Sequence, residues 1–524
     1  MTNSSRFIYN FLVNIFSTGV SVLLGVISIP FLIHFIGVSQ FGLISLFSSI
    51  FGIASLVEGG MNTAIIRKLS LCAAKSDYED FNRTFSFSLN VGISFTAIIL
   101  ILSLVFKDSI FALFTKLSPD LIAEAKKVFG ICMLNSGLTS FVLPVVFGLF
   151  STKHRFDLIS FFRAAIISVQ VVLWYVVLKY TGTGLTGWAV SSLSVTVLFL
   201  FIALFVGIRM TSYFRYVFVA FDCGLFRELF MLGGKVSVVK ISIFAITYIN
   251  PILFSMYGSI VYNTIFQVSS KGASIVSMIL GNVSGQIVPH IAGYIAKNDI
   301  EKMLAVYVFS TRMLFSLMVC IVMLVSANYK YIFFLWVGAS MPDIWLYTAN
   351  IFICLLFIQI MSSPSEIQWP IIMMLNRLGS ITIFYVLRTV ICVVAVIAML
   401  KYTSLGVYSV VIVNAPCVFI TILFFMYVLG KSIKMSVARQ ILAIFSRGTV
   451  CAVFLFPTLF AVKYACEIYF TSPLTLLFIN GIIGGCISGI VLLFVGFTSG
   501  DRRRVLSFME PIVNAAVRYC SKAL

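Results

Sequence analysis

The sequence predicts an all-α integral membrane protein of about fourteen transmembrane helices, built as two pseudo-symmetric lobes of about six helices each plus about two C-terminal helices. Three observations predict this fold: an extreme apolar composition, apolar runs of membrane-spanning length, and a short polar segment that occurs twice. Of 524 residues, 61% are hydrophobic and 10% are charged. No soluble globule has enough interior for that share of apolar side chains, so the chain belongs in a bilayer.

Apolar runs of about 20 residues, long enough to cross about 30 Å of hydrocarbon, define the helices in order. In the first half we expect helices near residues 10–36, 41–66, 84–106, 124–150, 158–180 and 185–208. In the second half we expect them near residues 230–257, 261–290, 304–327, 346–374, 380–400 and 405–429, with two more near 447–468 and 474–497. The corresponding domains are residues 1–222, 223–444 and 445–524, the last ending in a cytoplasmic tail. The first run is too long for a signal-peptide core, so we expect it to be retained.

A duplicated segment indicates that the lobes are repeats. Residues 74–79, Ala-Lys-Ser-Asp-Tyr-Glu, return as residues 296–301, Ala-Lys-Asn-Asp-Ile-Glu, at a shift of 222 (299 − 77 = 222). At the same shift or one less, residues 154–156 fall on 376–378, and Pro30, Gly37, Phe41, Ser48 and Ser49 fall on Pro251, Gly258, Tyr262, Ser269 and Ser270. Ordinary recurrence of loop chemistry is the alternative explanation. Because each repeat has an even number of spans, we expect an axis along the membrane normal and a cleft between the lobes.

The net charge of +19 is distributed as in a membrane protein. About 22 of the 36 Lys and Arg residues fall on one set of alternating loops and about 8 on the other, which predicts that the richer set and both termini are cytoplasmic. The eleven cysteines have no C-x-x-C pair or ligand spacing and are interpreted as small core hydrophobes. The sequence contains no nucleotide-binding, metalloprotease or D-x-D motif, so a motor ATPase, a metalloenzyme and a soluble-type sugar transferase are disfavoured, and we expect no cofactor or metal.

Polar residues at helical spacing inside apolar runs predict helix faces that contact protein or water rather than lipid. The first two helices carry Asn10, Asn14, Ser17, Ser21 and Ser28, then Ser45, Ser48, Ser49 and Gly52. Their repeat mates carry Ser237, Lys240 and Thr247, then Gln267, Lys271, Ser274, Asn282 and Gly285. Close helix packing explains the serines and glycines equally well. Both lysines lie about 15 Å into their spans, which favours an anionic ligand or a wet cavity.

Five other charged residues within spans are weaker candidates. Arg163, Arg312 and Arg388 are secondary cationic candidates, although snorkelling to the nearby cytoplasmic interface is the simpler explanation. Glu58 and Glu366 are ion-coupling candidates, because each lies at depth beside helix-loosening Gly or Pro residues. A fixed pairing with a nearby cation explains the two carboxylates equally well.

Two prolines at matching depths are hinge candidates. Pro30 and Pro251 lie near the outer ends of the first and seventh helices, where the loss of a backbone hydrogen bond permits bending. Bending there could open or seal an outer mouth. A static kink that suits packing is the alternative.

The first seventy residues carry a family resemblance. Residues 14–17 (Asn-Ile-Phe-Ser), 29–32 (Ile-Pro-Phe-Leu), 37–43 (Gly-Val-Ser-Gln-Phe-Gly-Leu) and 58–62 (Glu-Gly-Gly-Met-Asn) are similar to the opening pattern of one family. This is the polysaccharide-exporter branch, with the O-antigen flippases, of the multidrug/oligosaccharidyl-lipid/polysaccharide (MOP) superfamily. Together with the helix organisation, these motifs extend the resemblance over the whole chain.

The resemblance implies an alternating-access flippase of the bacterial inner membrane. Its substrate would be an undecaprenyl-pyrophosphate-linked oligosaccharide, an O-antigen or related surface polysaccharide unit, and its partners membrane lipids and other polysaccharide-assembly proteins, with no nucleic acid. Lys240 and Lys271 would then meet the pyrophosphate. The sugars would contact the polar residues Gln267, Ser274, Asn14, Ser48 and Ser49. Related flippases often carry cavity arginines in the amino-terminal lobe, and the first two helices here have none in their apolar interiors.

Two other functions remain as alternatives. An ion-coupled drug or metabolite antiporter of the same superfamily would use Glu58 or Glu366, although the two lysines argue against a cationic cargo. An integral-membrane enzyme such as a polysaccharide polymerase would need a large outer loop, and the loops near residues 107–123 and 328–346 are short. We therefore expect a transporter and not an enzyme.

Overall fold

The computed structural model describes residues 3–55, 61–211, 213–217, 222–375, 377–498 and 500–502, with only the backbone described in some stretches, chiefly 3–12, 230–241 and 243–247. Every regular element within these ranges is helical. Twelve helical segments there are long and apolar enough to cross a membrane. A shorter apolar helix over Val38–Gly52 and the 35-residue helix Cys223–Tyr257 complete a set of about fourteen. The predicted all-α integral membrane fold is confirmed.

The helices belong to two compact units. One comprises the chain up to Val268 with Ile381–Val410, and the other comprises Ser269–Ser380 with the chain from Val411. In chain order the helices are α1 (Asn3–Ile36), α2 (Val38–Ala54), α3 (Met61–Ala74), α4 (Tyr78–Val105), α5 (Lys107–Ala112), α6 (Pro119–Gly137), α7 (Leu143–Thr152), α8 (Phe156–Thr181), α9 (Gly184–Met210), α10 (Cys223–Tyr257), α11 (Ile260–Ala296), α12 (Ile300–Phe333), α13 (Trp345–Ser362), α14 (Ser365–Met374), α15 (Leu378–Tyr402), α16 (Tyr408–Ile433), α17 (Val437–Tyr469) and α18 (Pro473–Val491). The division at residues 222 and 444 stays a prediction.

Helix boundaries recur at the spacing of the predicted repeat. The starts of α4, α7 and α8 return 222 residues later as the starts of α12, α14 and α15, and the end of α3 returns as the end of α11. Two predicted spans are also interrupted at corresponding places. A π-helical segment, Leu138–Val142, separates α6 from α7, and a break at Ser363 and Pro364 separates α13 from α14. A proline lies at each interruption, Pro144 at the first and Pro364 at the second. Proline has no backbone N–H to donate, so the regular hydrogen bonding of the α-helix is broken there.

The duplicated polar segment forms the same helix-capping turn twice. Asp77 caps α4 by accepting a hydrogen bond from the Asp80 backbone N–H at 3.1 Å. Asp299 caps α12 by accepting one from the Lys302 backbone N–H, also at 3.1 Å. The residues before the two caps both have left-handed backbones, with φ of 57° and 54°. An aspartate at an N-cap accepts a hydrogen bond from a free N–H of the first helical turn. The duplicated residues therefore form the same local structure at the starts of α4 and α12.

A second duplicated segment lies at the ends of α8 and α15. Residues 178–181, Leu-Lys-Tyr-Thr, are identical to residues 400–403 at the shift of 222. They end α8 and α15 in the same way, with the threonine hydroxyl donating to the carbonyl one turn earlier at 2.6 Å in both helices. The ammonium groups lie over tyrosine rings, Lys179 5.1 Å from Tyr175 and Lys401 5.0 Å from Tyr257.

Candidate functional site

One membrane-length helix, α11, exposes a polar face. Lys271, Ser274 and Asn282 are exposed there, and a Cβ built on Gly281 or Gly285 would have nothing within 4 Å. These five positions lie within about 100° of one another around the helix axis, at 3.6 residues per turn. Polar side chains beside open space within a span suit water or a polar ligand, because lipid contact requires no polarity.

The exposed face of α15 is apolar, as a face in contact with lipid is expected to be. Away from the ends of the helix, five large apolar residues have 56% to 65% of their surface accessible: Ile383, Leu387, Val390, Ile391 and Val394. Both helices are long enough to span a bilayer. The exposed face of α11 is therefore more polar than that of α15, a helix that is also of membrane-spanning length.

Lys271 carries an unneutralised charge at depth. It lies eleven residues after Ile260, the start of α11, which is about 16 Å along the helix at 1.5 Å per residue. No carboxylate among the described residues lies within 4.0 Å of its ammonium group. Gln267 is half-buried one turn earlier, and the Ser274 hydroxyl donates to the Lys271 carbonyl at 2.7 Å. A lone cation at this depth requires water or an anion beside it.

Packing on α13 determines which face of α11 is left open. The buried Ser269 hydroxyl donates to the Thr348 carbonyl at 2.7 Å. A Cβ built on Gly272 would stand 3.1 Å from the Phe352 ring and 3.6 Å from Trp336. Glycine therefore allows these rings to approach the helix backbone beside Lys271, whose own side chain is exposed.

The polar stripe of α1 is used in packing against α8. The Ser17 hydroxyl donates to the Ser160 carbonyl, and the Ser160 hydroxyl donates to Asn14 Oδ1 at 3.1 Å. Asn14 is nevertheless exposed, so part of its amide remains accessible. Helix packing accounts for the conspicuous spacing of these residues, and a role of Asn14 in binding stays a prediction.

The serines of α2 differ in exposure. Ser48 is exposed and Ser49 is buried, and each hydroxyl donates to a carbonyl one turn earlier at 2.9 Å. The helix is tightly packed, since a Cβ on Gly52 would stand 2.4 Å from the Tyr248 ring. Only Ser48 is accessible to a ligand in this arrangement.

The three arginines have three different environments. Arg312 forms a 2.6 Å ion pair with Asp501, and the two side chains are only 17% and 6% exposed. Arg163 is exposed on α8 and has no ion pair among the described residues. Arg388 is half-buried, 5.8 Å from the Tyr385 ring, and its Nε has no hydrogen-bond partner in the described part of the chain. The partner of Arg312 follows α18, far from it in sequence, and the sequence contains no signal for this pairing.

Glu366 is exposed on α14 and has no cation within 4.0 Å among the described residues. On the other side of this helix a buried network fixes its position. The Gln368 amide donates to the Tyr307 hydroxyl at 3.1 Å, and that hydroxyl donates to Gln440 Oε1 at 3.1 Å. The network joins α14 to α12 and α17, so the broken span that carries Glu366 is firmly anchored.

Several predicted site residues lie outside the described part. Glu58 is not among the described residues, and for Lys240 only the backbone is described, within α10. Pro30 and Pro251 lie inside α1 and α10, which continue to their ends beyond them, and their hinge role stays a prediction. In the described ranges no cluster of three or more His, Cys, Asp and Glu side chains could hold a metal ion.

Comparison with known proteins identifies the fold. No protein-family model and no curated protein sequence matches the chain. Among solved structures, the chain is similar to the lipid II flippase MurJ in an inward closed conformation, with a TM-score of 0.72 and 16% identity over 96% of this chain and 100% of that one.

The chain is also similar to an inward-facing multidrug resistance MATE family transporter of the MOP superfamily, with a TM-score of 0.66 and 15% identity over 79% of this chain and 95% of that one. An outward-facing MATE transporter of the superfamily matches with a TM-score of 0.56 and 15% identity. At such low identity the likeness shows the fold alone, which is the fold of MATE and MurJ transporters.

Proposed function

We propose that the protein is an alternating-access flippase that moves an undecaprenyl-pyrophosphate-linked oligosaccharide, an O-antigen or related unit, across the bacterial inner membrane, with both termini in the cytoplasm. The observation that carries the proposal is the exposed polar face of α11, with the unpaired Lys271 about 16 Å along the helix. The likeness to MurJ over the full length of that chain supports a lipid-linked cargo.

Such a cargo has physical requirements that this face meets. A sugar and pyrophosphate head cannot enter hydrocarbon, because its polar groups would lose their hydrogen bonds and its charges their hydration. Lys271 supplies positive charge for the pyrophosphate. Ser274 and Gln267 on the same face supply hydrogen bonds to sugars. The prenyl tail needs none of these and stays in lipid.

An ion-coupled antiporter of the same superfamily is the second candidate function. It is favoured by the likeness to MATE transporters and by Glu366, an exposed carboxylate with no cation beside it among the described residues. A positive Lys271 in the binding face repels an organic cation, so this candidate requires a neutral or anionic cargo. Under this function, Glu366→Gln removes the dependence of transport on an ion gradient. Gradient dependence that survives the substitution excludes Glu366 as the coupling site.

The test of the proposed function is the charge of Lys271. In cells that depend on this protein for surface polysaccharide, Lys271→Gln should stop translocation and cause lipid-linked oligosaccharide to accumulate on the cytoplasmic side, while Lys271→Arg retains activity. Membrane levels of both variants serve as the control for folding. Normal surface polysaccharide in Lys271→Gln would remove this residue from the site, and unchanged lipid-linked pools after gene deletion would reject the flippase function itself.

A further inference from the structure

The two helices α8 and α15 expose the same apolar face. Three large apolar side chains are exposed along each: Phe161, Val169 and Val172 on α8, and Ile383, Ile391 and Val394 on α15. The second set follows the first at the repeat shift of 222 residues (383 − 161 = 222). Each set lies within about 80° around its helix axis, at 3.6 residues per turn. Because both helices are long enough to span a bilayer, these faces suit contact with the acyl chains of lipids.

A lysine ends each of these apolar faces. Lys179 follows Val172 by seven residues, and Lys401 follows Val394 by seven, so each lysine lies on the same face two turns later. Both lysines are exposed. From Phe161 to Lys179 the helix rises by about 27 Å, close to the thickness of about 30 Å of the hydrocarbon core. The apolar face therefore ends where lipid head groups begin, and the ammonium group lies at their level.

Tyrosine rings support both ammonium groups. The Lys179 ammonium donates to the Tyr175 hydroxyl at 2.9 Å and lies 5.6 Å from the Tyr180 ring. The Lys401 ammonium lies 5.0 Å from the ring of Tyr257, the last residue of α10. The supporting ring thus comes from α8 itself in one case and from a neighbouring helix in the other. The position of the cation is repeated although its support is not.

Neither lysine is neutralised by the protein. No carboxylate among the described residues lies within 4.0 Å of either ammonium group. The next residue in each helix is an exposed tyrosine, Tyr180 in α8 and Tyr402 in α15. Tyrosine suits the boundary between lipid and water, because its ring is apolar and its hydroxyl polar. An unpaired cation at this boundary attracts the phosphate groups of lipids.

We propose that Lys179 and Lys401 each bind the phosphate group of an anionic phospholipid, whose acyl chains cover the adjoining apolar face. An anionic lipid is preferred to a zwitterionic one, because a zwitterionic head group brings its own ammonium group, which the lysine repels. The two lipids fix the level of the ends of α8 and α15 in the bilayer. They lie in the outer leaflet under the proposed topology, and the sites do not depend on what the protein transports.

The test is equilibrium binding of fluorescent phosphatidylglycerol to the purified full chain in detergent. Lys179→Gln combined with Lys401→Gln should weaken binding at each site by about five-fold, the effect of one basic residue at a membrane surface. Combined replacement of both lysines by arginine should retain the binding. Lys116→Gln is the matched control, because it removes the same charge from an exposed lysine in the turn before α6 and should have no effect.

Phosphatidylcholine is the second probe, and it should bind more weakly than phosphatidylglycerol and equally to all variants. Salt should weaken the binding of phosphatidylglycerol to the unsubstituted protein, because it screens the attraction between lysine and phosphate. Full binding in the double glutamine variant, or an equal loss in Lys116→Gln, overturns the proposal. An equal loss of phosphatidylcholine binding overturns it too, because the contact then does not recognise charge. Binding that is independent of salt contradicts it without any substitution.

Discussion

The hydroxyl of Tyr307 is expected to stabilise the second unit by a measurable amount. Tyr307 is 1% exposed, and its partners Gln368 and Gln440 are both 0% exposed, so no water replaces a lost bond. Tyr307→Phe removes one oxygen and leaves a donor of Gln368 and an acceptor of Gln440 unpaired. An unsatisfied buried group costs about 1–3 kcal/mol, and hydrogen bonds measured inside membrane proteins average about 0.6 kcal/mol, so the two losses together should cost about 2 kcal/mol.

The measurement is thermal unfolding of the purified protein in detergent, followed by the exposure of buried cysteines to a thiol-reactive dye. A loss of about 2 kcal/mol should lower the melting temperature by a few degrees. Tyr329→Phe is the matched control, because its hydroxyl donates to the half-buried Asn350 at 3.1 Å, and its loss should cost less than about 1 kcal/mol. The reasoning is refuted if Tyr307→Phe unfolds at the same temperature as the control or above it.

Two further predictions concern glycine packing and acid stability. Gly42→Ala should lower the melting temperature, because the new Cβ would stand 2.4 Å from the Ile260 carbonyl oxygen. Gly281→Ala has open space around the new Cβ and should raise the free energy of unfolding by up to about 1 kcal/mol, because alanine has the higher helix propensity. Equal changes in melting temperature for the two variants would contradict this prediction. The pKa of Asp222 is held below its usual range, chiefly by the hydrogen bond from the Leu225 backbone N–H and also by Arg83. The ionised Asp222 carboxylate therefore stabilises the folded protein fully above the unfolded-state pKa of about 3.9, and this stabilisation is lost as the pH falls through the lower folded-state pKa. The stability difference between the native protein and Asp222→Ala should therefore narrow on acidification, and a difference independent of pH would be inconsistent with this linkage.

Apolar run length was sufficient to predict the spans because the hydrocarbon core sets one minimum length for every helix. The repeated Asp77 and Asp299 could be found by inspection because an N-cap requires specific side chains at fixed positions. The interruption at Leu138–Val142 was not predicted, since the apolar run continues through it and only a proline marks the place. The length of apolar runs and the residues at helix ends thus predict where helices lie better than they predict breaks within helices.

Polar periodicity identified faces that avoid lipid but not what covers them. Asn14 and Ser17 follow the same spacing rule as Lys271 and Ser274, yet the first pair forms hydrogen bonds with α8 and the second pair is exposed. A helix face that packs on a neighbouring helix and one that lines a water-filled cavity can carry the same polar residues at the same spacing. Only the packing in the structure distinguishes the two. The contact between Arg312 and Asp501 was missed for a related reason, because long-range pairing leaves no periodic pattern.

Water beside the polar face of α11 is tested most directly by cysteine accessibility in intact membranes. Ser274→Cys and Asn282→Cys should react with a charged, membrane-impermeant thiol reagent and be protected by the lipid-linked substrate. Leu387→Cys and Val390→Cys, on the exposed apolar face of α15, should remain unreactive. If the α11 cysteines are as inert as those on α15, the polar face does not line an aqueous cavity and the proposed route for a charged head group is wrong.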